Sequence, residues 1–180
     1  QYGLTTFLVL YLQEDIHLSV ISAGWVLGTA LAAGGIGRIV FGMIAGHYLP
    51  PLTVLLALSI LGAAASVLTA TLTDAWPLAL IYIVGVIYGA GVAAWNGVYL
   101  AEIARLSPPG AISRATGGSA FFIFAGIVVG PAALALLIEQ TSFPMAYNVM
   151  AALLGISVYA FAKTRAIIRA QASLHPFAPG

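Results

Sequence analysis

The sequence consists mainly of uncharged apolar runs, which are separated by short segments that hold the charges and the turn residues. A helix needs about 20 apolar residues to cross the hydrocarbon core of a bilayer, and the runs have this length. Strands are not expected, because long apolar runs form helices in lipid. The chain is therefore predicted to be an all-α, polytopic helical membrane protein that has the lipid bilayer as its surroundings.

The composition excludes the common soluble classes of protein. Only 6% of the 180 residues are charged and 62% are hydrophobic, whereas an ordinary soluble domain is about one quarter charged. So few charges cannot cover a soluble enzyme, and a net charge of +1 offers no basic patch to nucleic acid. The chain has no Cys and its three His are scattered, so we expect no metal site and no cofactor. Ser119 lacks an activating His or Asp within the membrane, so we expect no catalytic residue.

The charged and turn segments divide the chain into five complete helices and one partial helix. The complete helices are predicted at residues 20–46, 52–72, 76–102, 115–138 and 143–162. Residues 1–12 would extend over only about 18 Å, which is too short for a span, and are interpreted as the second half of a helix. The helices form one bundle over residues 1–165, and residues 166–180 form a tail.

The charges of the loops predict the orientation in the membrane. The loops on one side hold Glu14, Asp15, Asp74 and Glu139, whereas the loops and the tail on the other side hold Arg105, Arg114, Lys163, Arg165 and Arg169. Loops rich in Lys and Arg face the cytoplasm. The C-terminus and the tail are therefore predicted to be cytoplasmic.

The helix predicted at 76–102 carries aromatic and polar side chains on one face. At 100° per residue, Tyr88, Trp95, Tyr99 and Glu102 form a stripe, and Asn96 lies on a neighbouring face of small residues. An aromatic belt at the membrane surface would explain Tyr99, but Tyr88 and Trp95 lie nearer the midplane, which favours the lining of a cavity. The Asn96 amide needs a partner, either on another helix or on a solute.

Arg38 is the one basic residue inside a predicted span. A charge at this depth should face the protein interior and have a partner, and two interpretations remain open. In the first, Arg38 is structural, and it pairs with Glu102 or binds backbone carbonyl groups. In the second, Arg38 binds an anionic solute or forms part of a gate.

Small residues recur at four-residue spacing, a pattern that lets helix backbones approach closely in lipid. The pairs are Gly24 and Gly28, Gly42 and Gly46, Gly85 and Gly89, and Gly126 and Gly130. We expect most of these pairs to lie at helix contacts.

Two stretches resemble transporters of the major facilitator superfamily. The run GRIVFGMIAGH, which ends at His47, is similar to the end of the family's eighth helix, although the family has an acidic residue and Arg where this chain has Gly46 and His47. The run WNGVYLAEIARLSPPGAISRATGG, which begins at Trp95, is similar to the end of the tenth helix, the next loop and the start of the eleventh helix. The resemblance implies that the chain is the C-terminal half of the fold, helices seven to twelve, without its N-terminal six-helix half. It also implies a bacterial cytoplasmic (inner) membrane as the location.

The resemblance further implies secondary transport of a small solute, which binds near the membrane midplane between the two halves. Arg38 favours a small organic anion as this solute. The cavity wall and the gates in this half would hold Tyr2, Thr5, Thr6, Trp25, Thr29, Arg38, Tyr88, Trp95, Asn96, Tyr99, Glu102, Phe121 and Phe122. Enzyme activity is not expected.

Two other functions remain open on the sequence. A half-size protein would dimerise into a transporter or a channel, and a membrane scaffold would anchor a partner without transport. A scaffold needs no polar residues on an inward face. Arg38 and the stripe on the helix at 76–102 therefore favour transport.

Overall fold

The computed structural model describes residues 1–174, with side chains for residues 1–170. Seven helices follow one another: α1 (Tyr2–Glu14), α2 (Val20–His47), α3 (Pro51–Ala70), α4 (Leu78–Ala93), α5 (Trp95–Leu106), α6 (Ile112–Gln140) and α7 (Phe143–Leu174). α4 and α5 meet at Ala94 and together form one long apolar segment. The described residues therefore form six helical segments, in agreement with the predicted all-α bundle.

Five of these segments, within the part of the chain that the structure describes, are long and apolar enough to cross a membrane. They are Val20–His47, Pro51–Ala70, Leu78–Leu106, Ile112–Gln140 and Phe143–Ala170. α1 has 13 residues and is shorter than a span. The multi-pass helical class that the sequence predicts is confirmed.

Local residue chemistry explains how α2 begins and how it turns into α3. The Ser19 side chain caps α2 by accepting a hydrogen bond from the backbone N–H of Ser22 at 3.1 Å. Near the other end, Gly46 has a φ of +91°, and its N–H donates to the carbonyl of Leu49 at 2.8 Å. Glycine adopts this backbone conformation without steric cost, and the turn leads into Pro51 in the first turn of α3.

Two features of the helices depart most from the prediction, whereas the other predicted bounds lie within four residues of those observed. The helix predicted at 76–102 is interrupted at Ala94, which ends α4 and precedes α5. The last helix does not end at residue 162 but continues to Leu174, so the tail predicted from residue 166 begins as helix. Lys163 and Arg165 end an apolar run, but Lys and Arg favour helix and do not terminate one.

α4 lies between α2 and α3, and glycines bring the three backbones together. A Cβ at Gly89 would collide with the carbonyl oxygen of Ala30 on α2. A Cβ at Gly91 would lie 2.7 Å from the backbone nitrogen of Gly62 on α3. The predicted contact role of the Gly85 and Gly89 pair is therefore confirmed, since small residues permit this approach.

The other predicted glycine pairs do not lie at contacts within the described chain. A Cβ would meet open space at Gly24, Gly28, Gly42, Gly46, Gly126 and Gly130. These glycines belong to α2 and α6, and no residue of α6 is buried. The prediction is wrong for these pairs because their faces point away from the other described helices.

A cluster of large buried side chains anchors the short helix α1. The Tyr11 ring packs against Phe143 and Tyr147, with centroid distances of 5.5 Å and 5.2 Å. Its hydroxyl donates to the carbonyl of Thr69 at 3.0 Å. Because a buried hydroxyl without a partner is costly, this bond fixes α1 to the end of α3.

We expect Gly89→Ala to destabilise the bundle, because the added methyl group collides with the α2 backbone at Ala30. Overpacking costs about 1–3 kcal/mol, and a clash with backbone atoms favours the upper part of this range. The loss then exceeds the roughly 1 kcal/mol that Ala gains over Gly in a helix. Thermal unfolding of the purified protein in detergent should show a lower midpoint.

Gly155→Ala on α7 is the matched control, since a Cβ at Gly155 meets open space. This variant should keep or raise the midpoint. A Gly89→Ala variant as stable as Gly155→Ala would contradict the close contact between α2 and α4.

Candidate functional site

A partly enclosed cavity of about 720 Å³ lies within the bundle. All seven helices contribute residues to its wall, which is mainly apolar. Pockets for small molecules have volumes of about 300–1,000 Å³ and combine apolar walls with a few polar groups. The cavity therefore has the size and the lining of a binding site for a small solute.

Arg38 is the only charged side chain that the described residues contribute to the wall. Its Nε donates to the carbonyl oxygen of Ala93 at 2.8 Å. Ala93 is the last residue of α4, so its carbonyl lacks the partner that an uninterrupted helix would supply. A cation is also favoured at a helix C-terminus by the helix dipole. Arg38 therefore stabilises the interruption between α4 and α5.

Two glycines let α2 approach this interruption. A Cβ at Gly34 would lie 2.6 Å from the Cβ of Ala93, and one at Gly37 would lie 3.1 Å from the Cβ of Ala94. Larger residues at these positions would push α2 away from α4. The glycines thus bring the backbone of Arg38 close enough for its side chain to reach the Ala93 carbonyl.

The predicted pair between Arg38 and Glu102 is wrong. Glu102 instead pairs with Arg105, whose Nε and Nη2 donate to its two carboxylate oxygens at 2.6 Å and 2.7 Å. Residues three apart on a helix are neighbours, so Arg105 is much nearer. Arg38 instead binds a backbone carbonyl group, which was the other structural role that the sequence left open. Glu102 is buried and lies outside the cavity wall.

The aromatic members of the predicted stripe line the cavity. Trp95 and Tyr99 pack edge to face on α5, with ring centroids 5.5 Å apart. The buried Tyr88 on α4 directs its hydroxyl at the sulfur of Met150, 3.7 Å away. The Ser119 hydroxyl donates to that of Tyr99 at 3.4 Å, which links α6 to α5.

The remaining predicted residues fall into two groups. Asn96, Phe122 and Tyr2 lie in the wall, and the Asn96 amide donates to the side-chain oxygen of Gln1 at 3.4 Å. Outside the wall lie Thr5, Thr6, Trp25, Thr29, Glu102 and Phe121. Thr5 and Thr29 bond to carbonyl groups of their own helices, and Trp25 is 66% exposed on α2.

Sequence reasoning missed wall residues on α3 and α7. Ser59 and Ser157 line the cavity, together with Met150. The family resemblance implies a wall built from the first, second, fourth and fifth helical segments. A Ser within an apolar helix is a weak signal, because its hydroxyl can bond to its own helix, as Ser59 does to the Leu55 carbonyl at 2.9 Å.

The cavity offers binding groups rather than a reactive centre. It combines one guanidinium group with the aromatic rings of Tyr88, Trp95, Tyr99 and Phe122. Within residues 1–174, no group of three or more His, Cys, Asp or Glu could hold a metal ion. The arrangement is suited to holding a solute by charge and by apolar contact.

We expect Arg105→Gln to destabilise the protein more than Glu102→Gln. Glu102 is 4% exposed and Arg105 is 58% exposed, so the first variant leaves a buried carboxylate unpaired, whereas the second leaves a cation in contact with solvent. A double-mutant cycle on unfolding in detergent should give a coupling free energy of about 0.5–3 kcal/mol. Additive effects of the two substitutions would contradict the pair.

Comparison with known proteins agrees with the helical architecture. The model of the family described as Major Facilitator Superfamily matches residues 1–176. No curated protein sequence and no solved structure matches the chain. The family match covers nearly the whole chain, and members of this family are membrane transporters rather than enzymes. The chain therefore belongs to the Major Facilitator Superfamily.

Proposed function

We propose that the protein is a secondary active transporter that moves a small organic anion by alternating access. Arg38 is the observation that carries this proposal, because it is the only charged side chain in the cavity wall among the described residues. A charge within a membrane is costly and marks a solute pathway or a structural contact. The bond of Arg38 to Ala93 uses Nε alone, so the rest of the guanidinium group remains for a solute.

The chain acts, in this proposal, as the C-terminal half of a two-half transporter. The exposed faces of α2 and α6 support this arrangement, because they carry large apolar residues such as Trp25, Phe121 and Phe124. These faces fit a second six-helix bundle and the surrounding lipid. The resemblance of the run before His47 to the family's eighth helix favours the C-terminal half. Rocking of the two bundles would expose the solute to either side of the membrane in turn.

A second copy of the same chain is the alternative partner for these faces. In that case the protein would be a half-size transporter or channel that dimerises. Mass measurement of the native complex separates the two arrangements. One chain with two bundles supports our proposal, and two copies of this bundle support the alternative.

The proposed location is a bacterial cytoplasmic membrane with the C-terminus in the cytoplasm. The segregation of loop charges supports this orientation. Asp74 lies between α3 and α4, and Arg114 lies in the first turn of α6, and both are exposed.

Single-cysteine labelling tests the orientation, since the chain has no Cys of its own. We expect a membrane-impermeant maleimide added to intact cells to label Asp74→Cys. Arg114→Cys should be labelled only after the membrane is permeabilised. The reverse pattern would overturn the proposed orientation.

Uptake of labelled organic anions, neutral solutes and cations into vesicles tests the proposed activity. We expect uptake of an anion, and a fall of about tenfold or more in Arg38→Gln, since a hydrogen bond to a charged group contributes this much. Arg114→Gln removes an exposed charge outside the cavity and should leave uptake unchanged.

The yield and the elution profile of Arg38→Gln separate the two roles of this residue. Normal folding with lost uptake supports a role in solute binding or gating. A fall in uptake that only matches the loss of folded protein, with normal uptake per folded molecule of Arg38→Gln, would assign Arg38 to structure alone. Inertness of the folded wild type toward every solute class would contradict transport and favour a scaffold.

A further inference from the structure

We infer that the solute is a monocarboxylate with a flat apolar body, of which benzoate is the simplest example. Its carboxylate would bind the two terminal nitrogens of Arg38, and its body would lie against Trp95 and Tyr99. The inference rests on the proposed transport function and adds the chemical class of the solute.

The hydrogen bond of Arg38 to Ala93 determines which nitrogens of the guanidinium group can bind an anion. A guanidinium group can hold a carboxylate through Nε and one Nη or through both Nη atoms. Nε is already bonded to the Ala93 carbonyl, and the structure gives Arg38 no other hydrogen bond among the described residues. The fork of two Nη atoms therefore remains, and it matches two oxygens of a planar carboxylate.

The charges that this half contributes to the cavity favour a solute with a single negative charge. Within the described residues no carboxylate lies in the wall, and the buried Glu102 is neutralised by Arg105. In this half of the cavity a cationic solute would face Arg38 without a partner, and a second negative charge would find no second cation. A neutral solute would leave the fork of Arg38 unpaired.

The rest of the wall selects an apolar body. Trp95 begins α5 directly after the interruption, and its ring packs on Tyr99 one turn further on. These rings offer faces and edges that a flat apolar group can contact. Both side chains share the wall with Arg38, so one solute can contact the cation and the aromatic pair together.

Three polar side chains of the wall already bond to the protein, which leaves fewer groups for a solute rich in hydroxyl groups. Ser59 donates to Leu55, and the Asn96 amide donates to Gln1. The Tyr88 hydroxyl faces a methionine sulfur. A sugar could not use these three groups, and each of its hydroxyls left without a partner would cost free energy.

Binding of four matched ring compounds to the full-length protein in detergent tests the inference. The probes are benzoate, benzamide, benzylamine and phthalate, which carry one negative charge, no charge, one positive charge and two negative charges. Titration calorimetry should give the highest affinity for benzoate, by about tenfold or more over each of the others. An equal or higher affinity for any of the other three probes would overturn the inference.

Variants identify the groups that carry this preference. Arg38→Gln should reduce the affinity for benzoate to that for benzamide, whereas Arg114→Gln should not. Trp95→Leu should weaken benzoate and benzamide equally, because both share the ring, and Phe124→Leu, which lies outside the wall, should weaken neither.

If Arg38→Gln does not fold, Trp95→Leu and the ranking of the four probes still decide the result. Unchanged binding of benzoate and benzamide in Trp95→Leu would overturn the proposed place of the ring. Uptake of some other solute by a protein that binds no probe would overturn the carboxylate class alone. The transport proposal would then stand.

Discussion

The hydrogen bond from Arg38 to the Ala93 carbonyl is the contact on which the rest of the site depends. A cation within the membrane needs a partner, and a carbonyl exposed by an interrupted helix needs a donor. The bond gives the Arg38 Nε an acceptor and the Ala93 carbonyl a donor, and the two Nη atoms stay available. Gly34 and Gly37 favour this contact, since both let α2 approach the end of α4 closely.

The interruption at Ala94 divides one span into α4, which packs tightly against α2 and α3, and α5, which begins in the cavity wall. α4 is held by backbone contacts on both sides, through Gly89 to α2 and through Gly91 to α3. α5 begins with Trp95 in the cavity wall and ends near the pair of Glu102 and Arg105. Neither member of that pair lies in the wall, where Arg38 is the one charged side chain among the described residues. In a transporter of the Major Facilitator Superfamily, a cavity of this kind fits an anionic solute, which is the function we propose.

The apolar runs and the loop residues predict the helices well, because the length and polarity of a span are local properties of the sequence. The cause of the interruption at Ala94 is not a local property of the sequence. Ala is the best helix former, and no proline marks the position. The break is stabilised from Arg38, 55 residues away along the chain from Ala93. The pair of Glu102 and Arg105 follows from a local rule, since residues three apart on a helix are neighbours. The prediction from membrane depth had made Arg38 the partner of Glu102. The position of Trp25 outside the wall depends on which face of α2 meets the cavity. Only the packing of the helices determines that face.

Solid-state NMR of the protein in lipid bilayers tests the central contact most directly. A dipolar-recoupling measurement between the ¹⁵N-labelled Nε of Arg38 and the ¹³C-labelled carbonyl of Ala93 reports their distance. The structure, with 2.8 Å between Nε and the carbonyl oxygen, predicts a clear coupling that disappears in Arg38→Gln. The absence of this coupling in the wild type, or a coupling of Arg38 to the side-chain carboxyl carbon of Glu102, would contradict the account.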